Sequence, residues 1–434
     1  MNKLGRILIN ICRLVLALTL IFSGYVKAID PMGTNYKLQD YLGALSLQGQ
    51  VPEWLTVTAA VALAAVEFCL GLFLLFAIHR RTVTRLILCL MVVMTALSAW
   101  LWWCNPISDC GCFGDAIVLT NGETFAKNIV LLAAAIIVSK WPLMMVRFIS
   151  RTNQWIVINY SILFIIFTSL YCLYDLPIFD FRPYKEGADL RKGMEIPETA
   201  EQPQFETIFI LEKDGKRQEF TLENYPDSTW TFVDRKTIQT SEGYVPPIHD
   251  FSIETVEDGE DITEDVLADP GYTFLLISPQ LETANDSEFG TFDQLYEYCQ
   301  EQNYPFYCLT SSGEKGLERW RDLTGAEYPF CHTDATTLKT IIRSNPGLLL
   351  LHDGKVVRKW SYNMLPDITM LTTRLEDSPI GQTPSDTPTK KLLRILSVFV
   401  LPLLALSLAD RLWAWTRWVR RKERKKKKEE KEEK

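Results

Sequence analysis

Six apolar stretches decide most of what this 434-residue chain can become. They fall at roughly 7–28, 56–78, 84–103, 126–147, 154–175 and 391–416. About 20 apolar residues cross the hydrocarbon core of a bilayer as a helix. Only helices and closed barrels can satisfy their backbone there. The chain is therefore expected to be a multi-pass helical membrane protein. The first stretch could be a cleaved signal, but no small-x-small site follows it and "SGYVKAIDP" continues it directly. The sixth contains Pro402 and ends in "ADRLWAWTRW", whose aromatics suit an interface.

Loop charges give the orientation. Lys3 and Arg6 precede the first stretch. His79, Arg80, Arg81 and Arg85 follow the second, Arg147 and Arg151 follow the fourth, and "RRKERKKKK" follows the sixth. If the spans alternate, all four groups share one side, and by the positive-inside rule that side is the cytoplasm. The expectation is a bacterial inner-membrane protein with both termini inside. The loop "WWCNPISDCGCFGD" (102–115) and the polar stretch from about 176 to 390 then face outward into the periplasm, where disulfides persist. Trp100, Trp102 and Trp103 would sit at the outer interface.

Composition shifts divide the chain further. Residues 1–150 hold four spans on short loops, as in a helix bundle. Residues 151–200 are a fifth span and a polar connector. Residues 201–244 alternate apolar and polar residues on either side of Asp214-Gly215, the signature of a β-hairpin, with a further strand in "STWTFVDRKTIQ". From 245 to 375 short apolar runs alternate with amphipathic ones, which predicts an α/β layer. A Pro/Ser/Thr linker at 376–390 returns to the sixth span at 391–418. The charged tail 419–434 lacks interleaved aromatics and carries no nucleic-acid signature.

Cys104, Cys110 and Cys112 fall within nine positions. A disulfide needs Cα atoms about 4.4–6.8 Å apart, and two extended residues span up to about 7 Å. A Cys110–Cys112 bond is thus reachable but strained, with Gly111 supplying the unusual backbone angles. A strained, exposed disulfide is the labile kind, and Cys104 could resolve it by exchange. A plain staple from Cys104 to Cys110 or Cys112 stands beside that reading. A metal centre would need a fourth ligand that the neighbourhood lacks. Glu67 is the second candidate, because a carboxyl group in mid-span is costly and marks function by default; Lys27, near the outer end of the first span, is its expected partner. Cys12, Cys69 and Cys89 read as small apolar residues, and Cys299, Cys308 and Cys331 as buried ones. His332 beside Cys331 should point the other way on a strand.

"FSGYVKAIDP", "AAVEFCLGLFLLF" and "CGCFGD" together resemble the DoxX/MauE superfamily of four-span membrane proteins over about residues 5–150, and "CGCFG" is similar to the MauE, methylamine-utilisation branch. The layout, with "DFRPYKEGADL", resembles DoxX-type proteins of Bacteroidetes. The resemblance implies help in disulfide acquisition by extracytoplasmic client proteins. It is also similar in layout to vitamin K epoxide reductase-type enzymes, so a quinone acceptor is an analogy; the cofactor itself stays unknown. Residues 245–375 resemble a thioredoxin-like domain of redoxin type. "RSNPGLLLLHDGKVV" is similar to its proline loop and closing hairpin, implying a cis Pro346 beside a peptide groove. The cysteine pair that should follow the first core strand is missing from "SPQLETANDS". This domain is therefore expected to dock a client or cap the bundle without thioredoxin chemistry of its own. A membrane scaffold and small-solute or lipid transport, the latter resting on Glu67 alone, are the rival functions.

Overall fold

A computed structural model describes residues 3–432 except 48, 108, 198–199, 201–203, 214–215, 221–230, 242–243, 372 and 385–386; for 3, 204–241, 370 and 421–432 it describes the backbone only. Six of its helices are long and apolar enough to cross a membrane. Helix α1 (Lys3–Ile29) is followed by a shorter helix, α2 (Pro31–Ala44). Then come α3 (Glu53–Phe76), α4 (Arg80–Cys104), α5 (Asn121–Lys140) and α6 (Gln154–Tyr174).

The pairing of α1 with α3 rests on small residues. Ala17, Ala28, Ala60 and Ala64 are buried between the helices. A Cβ on Gly24 would lie 2.4 Å from the Phe68 backbone nitrogen, and one on Gly71 2.8 Å from that of Ile21. With no hydrophobic drive between helices in lipid, such close backbone approach supplies the packing energy. Arg13, buried inside α1, donates to the carbonyls of Leu74 (3.0 Å), Leu75 and Val146 (2.8 Å). It thereby satisfies the last turn of α3, which ends in a left-handed Ala77.

Two elements differ from expectation. Helix α5 spans 121–140, not 126–147. A Thr120–Glu123 capping box sets its start, and Pro142 follows its end. Helix α2 is unanticipated, though its start is written in the sequence: Asp30 accepts from the Gly33 N–H at 2.8 Å and Pro31 occupies the first helical position.

Beyond α6 the chain forms α7 (Leu190–Met194). A separate antiparallel sheet follows, ordered β2-β1-β3, from β1 (Gln204–Lys213), β2 (Lys216–Phe220) and β3 (Thr231–Ser241). The expected turn at Asp214-Gly215 lies outside the described residues. The α/β domain then runs β4 (Glu254–Thr255), α8 (Thr263–Ala268), β5 (Tyr272–Ser278), α9 (Phe289–Gln302), β6 (Phe306–Thr310), α10 (Glu314–Thr324), β7 (Phe330–His332), α11 (Ala335–Ile341), β8 (Gly347–His352) and β9 (Lys355–Ser361). Its sheet is ordered β4-β7-β6-β5-β8-β9. The pairs β5–β6 and β6–β7 are parallel; β5–β8 and β8–β9 are antiparallel. That order, with a cis Asn345–Pro346 peptide just before β8, is thioredoxin-like. Because strand residues alternate between faces, Phe274 and Leu276 pack under α9 and α10, while Leu275 and Ile277 pack against α11 and the connector.

The connector belongs to this domain. Tyr184 and Leu190, from the segment expected as a connector at 151–200, share the core of Ile277 and Leu351. Its backbone also extends the sheet: Gly187 N–H donates to Val356 O at 2.7 Å, and Val356 N–H to Ala188 O at 2.9 Å. The last helix, α12 (Pro388–Glu432), is continuous through Pro402 into the charged tail. Phe399 packs on Phe164 at 4.2 Å, and Asp410 accepts from Ser150 Oγ (2.8 Å) and Asn153 Nδ2 (2.9 Å) beside the start of α6.

Candidate functional site

The α4–α5 loop, α2 and the domain's proline loop meet at one end of the bundle. Gly111 has φ +65°, in the left-handed region glycine tolerates. Its N–H donates to Asp109 Oδ2 at 3.1 Å, and Lys37 pairs with Asp109 Oδ1 at 2.5 Å. The resulting turn brings Cys110 Sγ and Cys112 Sγ to 2.9 Å from each other, unbonded, with both residues buried at 8% exposure. Leu101, Trp100 and Tyr41 surround them.

Two hydroxyls fasten this turn to the bundle. Tyr41 Oη on α2 donates to Cys110 O at 2.8 Å. Ser23 Oγ on α1 lies 2.8 Å from Cys112 O and 2.7 Å from Glu67 Oε2, and its single proton can serve only one at a time. Lys27 Nζ donates to Ser23 Oγ at 2.9 Å and pairs with Glu67 Oε2 at 2.7 Å, with both charged side chains buried. The mid-span carboxylate and the cysteine loop are thus one hydrogen-bonded network joined at Ser23.

The electrostatics separate the two sulfurs. The hydrogen bond from Cys112 holds the Cys110 thiol below its ordinary value; burial pushes the other way, and Tyr41, Lys127 and Lys27 help the lowering. Cys112 is pushed well above its ordinary value, first by the bond it shares with Cys110 and then by burial. Cys110 is therefore the more acidic thiol of the pair, and acidity sets how readily a thiol forms the thiolate that exchange requires.

The α/β domain docks beside this loop through Arg343, between α11 and Pro346. Its guanidinium bonds both Asp30 oxygens (3.0–3.1 Å) and Asp115 Oδ2 (3.0 Å), and it lies 5.3 Å over the Tyr36 ring. Burial would raise Asp30, but Arg343 and Arg182 outweigh it and hold the carboxyl below its ordinary value. At Asp115 burial prevails over Arg343 and the carboxyl stays above that value.

Residues 5–140 match the family of methylamine utilisation protein MauE. The MauE match covers α1 to α5 and so contains every residue of the Ser23 network and the cysteine turn. Residues 205–242, which span β1–β3, match a family described as a domain of unknown function (DUF8463). No curated protein matches the chain. A solved structure from Bacteroides thetaiotaomicron, provisionally described as a protein disulfide isomerase, is 14% identical at a TM-score of 0.23, covering 27% of this chain and 77% of its own.

Of the residues singled out in the sequence, Cys110, Cys112, Glu67 and Lys27 come together within the MauE-matched segment. Cys104 does not. It ends α4, exposed, and among the described residues is bonded to neither sulfur. Pro346 lies in the docked loop, directly after Asn345, whose polar groups are bonded within the chain. Asn345 O accepts from Asn285 N–H at 3.0 Å, and Asn345 Nδ2 donates to Gln280 O at 2.9 Å. Cys299, Cys308 and Cys331 are buried, and burial raises all three, Cys331 to about 11. Sequence reasoning missed Ser23, Tyr41, Asp30 and Arg343. Only Asp30 carried a local signal, as the cap before Pro31.

Proposed function

We propose that this membrane protein performs thiol–disulfide exchange on the outer face of the membrane, with Cys110 and Cys112 as the exchanging pair. One observation carries the reading: two buried sulfurs 2.9 Å apart, split into a lowered and a raised thiol, and anchored to a charged bundle interior. In the oxidised pair, a client thiolate attacks one sulfur, the S–S bond breaks, and the released thiolate takes up a proton. The second client thiol, losing its proton, then displaces the enzyme sulfur. The client loses two electrons and the pair gains two. Re-oxidation requires a two-electron acceptor, for which a membrane quinone is the analogous class. Cys104, exposed at the end of α4, is the thiol proposed to resolve a mixed disulfide.

The docked position of Arg343 and the occupied bonds around Asn345 favour the α/β domain as a cap that braces the loop over a peptide-docking role. Glu67, the sole support for transport, is neutralised by Lys27. The deciding experiment is acid quenching of intact cells followed by alkylation with a membrane-impermeant, mass-shifting reagent. A mixture of oxidised and reduced Cys110/Cys112 that moves with mild reductant is expected. A single disulfide unmoved by reductant would refute exchange and leave a staple. Replacing Cys110 and Cys112 with Ser should abolish client oxidation with the protein level unchanged.

A further inference from the structure

At the opposite end of the bundle from the cysteine turn, a cavity of about 420 Å³ lies between the start of α4 and the end of α5. Arg81 and Arg85, one helical turn apart on α4, and Lys140, in the last turn of α5, supply its cations. Trp141, Leu143 and Met144 supply an apolar wall. Arg80 fixes that wall by donating to the carbonyls of Leu143 and Met145, both at 2.9 Å. Among the described residues, no carboxylate lines the cavity. Among the described residues, Arg81, Arg85 and Lys140 enter no ion pair. Cations that serve only to orient a span can stand apart in water. Here three converge on one concavity, beside apolar side chains, where two spans leave the hydrocarbon.

We infer that this cavity binds the phosphate headgroup of an anionic phospholipid, with Arg81, Arg85 and Lys140 on the phosphate and Leu143 and Met144 along the acyl chain. Basic pockets between spans recognise such headgroups, each cation near the surface being worth about 1 kcal/mol. A soluble phosphate shares the charge but leaves the apolar wall unused.

The test uses the full-length protein in detergent, probed by native mass spectrometry and thermal unfolding with phosphatidylglycerol, phosphatidylcholine or inorganic phosphate. Wild type is expected to retain phosphatidylglycerol over phosphatidylcholine and to melt higher with it. In R81Q/R85Q, which removes two such cations, retention should fall by roughly thirtyfold. K140Q, a single exposed change, should give a smaller fall in the same direction and guards against misfolding of the double variant. R147Q, an exposed cation at the same end but outside the cavity, should behave as wild type. Equal retention by R81Q/R85Q and wild type, or of both lipids by wild type, would overturn the site. Equal stabilisation by inorganic phosphate would overturn its assignment to lipid.

Discussion

At the residue scale, the cysteine turn and the ion pair beneath it make separable predictions. Removing Lys27 strands the Glu67 carboxylate in a buried setting, and breaking such a pair costs about 3–5 kcal/mol. K27M should therefore lower the melting temperature sharply, and K27M/E67L should recover most of that loss in a thermal scan. Cys110 should alkylate at a lower pH than an ordinary thiol; in C112A, where the donating neighbour is gone, the midpoint of its rate–pH profile should rise. An unchanged midpoint would show that the Cys112 hydrogen bond is not what lowers it. Glu67 was legible because any mid-span carboxyl stands out. Ser23 was not, because a serine in a helix can bond its own backbone and leaves no trace in the pattern. Arg13 shows the same limit in reverse: a charge within a span that caps a neighbouring helix end.

At the scale of elements, the α1–α3 pair is the least tolerant part of the bundle. A leucine at Gly24 or Gly71 must push the backbones apart, since a single Cβ there already overlaps the facing helix. Overpacking costs about 1–3 kcal/mol or more, and G24L should be seen as a loss of monodisperse protein on gel filtration. Docking of the α/β domain is governed by Asp30. Its folded-state value is depressed, so its contribution is complete above the unfolded value of about 3.9 and is lost as pH falls through the folded value beneath it. Asp115 is raised and works in the opposite sense. Accordingly, D30N should loosen the domain markedly and D115N little, measured as protease access to the 343–346 loop. The strands of the domain were readable because β5 and β8 are short apolar runs buried on both faces. Helix α2 was not, because its weak amphipathicity offers no period to detect; only its cap announced it.

At the scale of the whole molecule, the alternation of spans places the cysteine turn and the α/β domain at the same end of the bundle, as the sequence pattern predicts, and Arg343 joins them. What the sequence could not supply is this meeting itself. The residues of the joint lie at 30, 115 and 343, too far apart in the chain for any local pattern to connect them. The fragment 245–375, cut where composition changes, should aggregate, whereas 176–383 should remain monomeric in light scattering, because Ala188 and its neighbours cover the outer strand and Ile380 completes the core. The bonds between residues 187–190 and β9 carry a further consequence. The chain emerging from α6 lies against the sheet's far border, and the chain after the sheet descends again as α12. The domain is thus held like a bucket by both ends of its handle. Both of its connections to the bundle, through α6 and through α12, lead back to the helices that carry it.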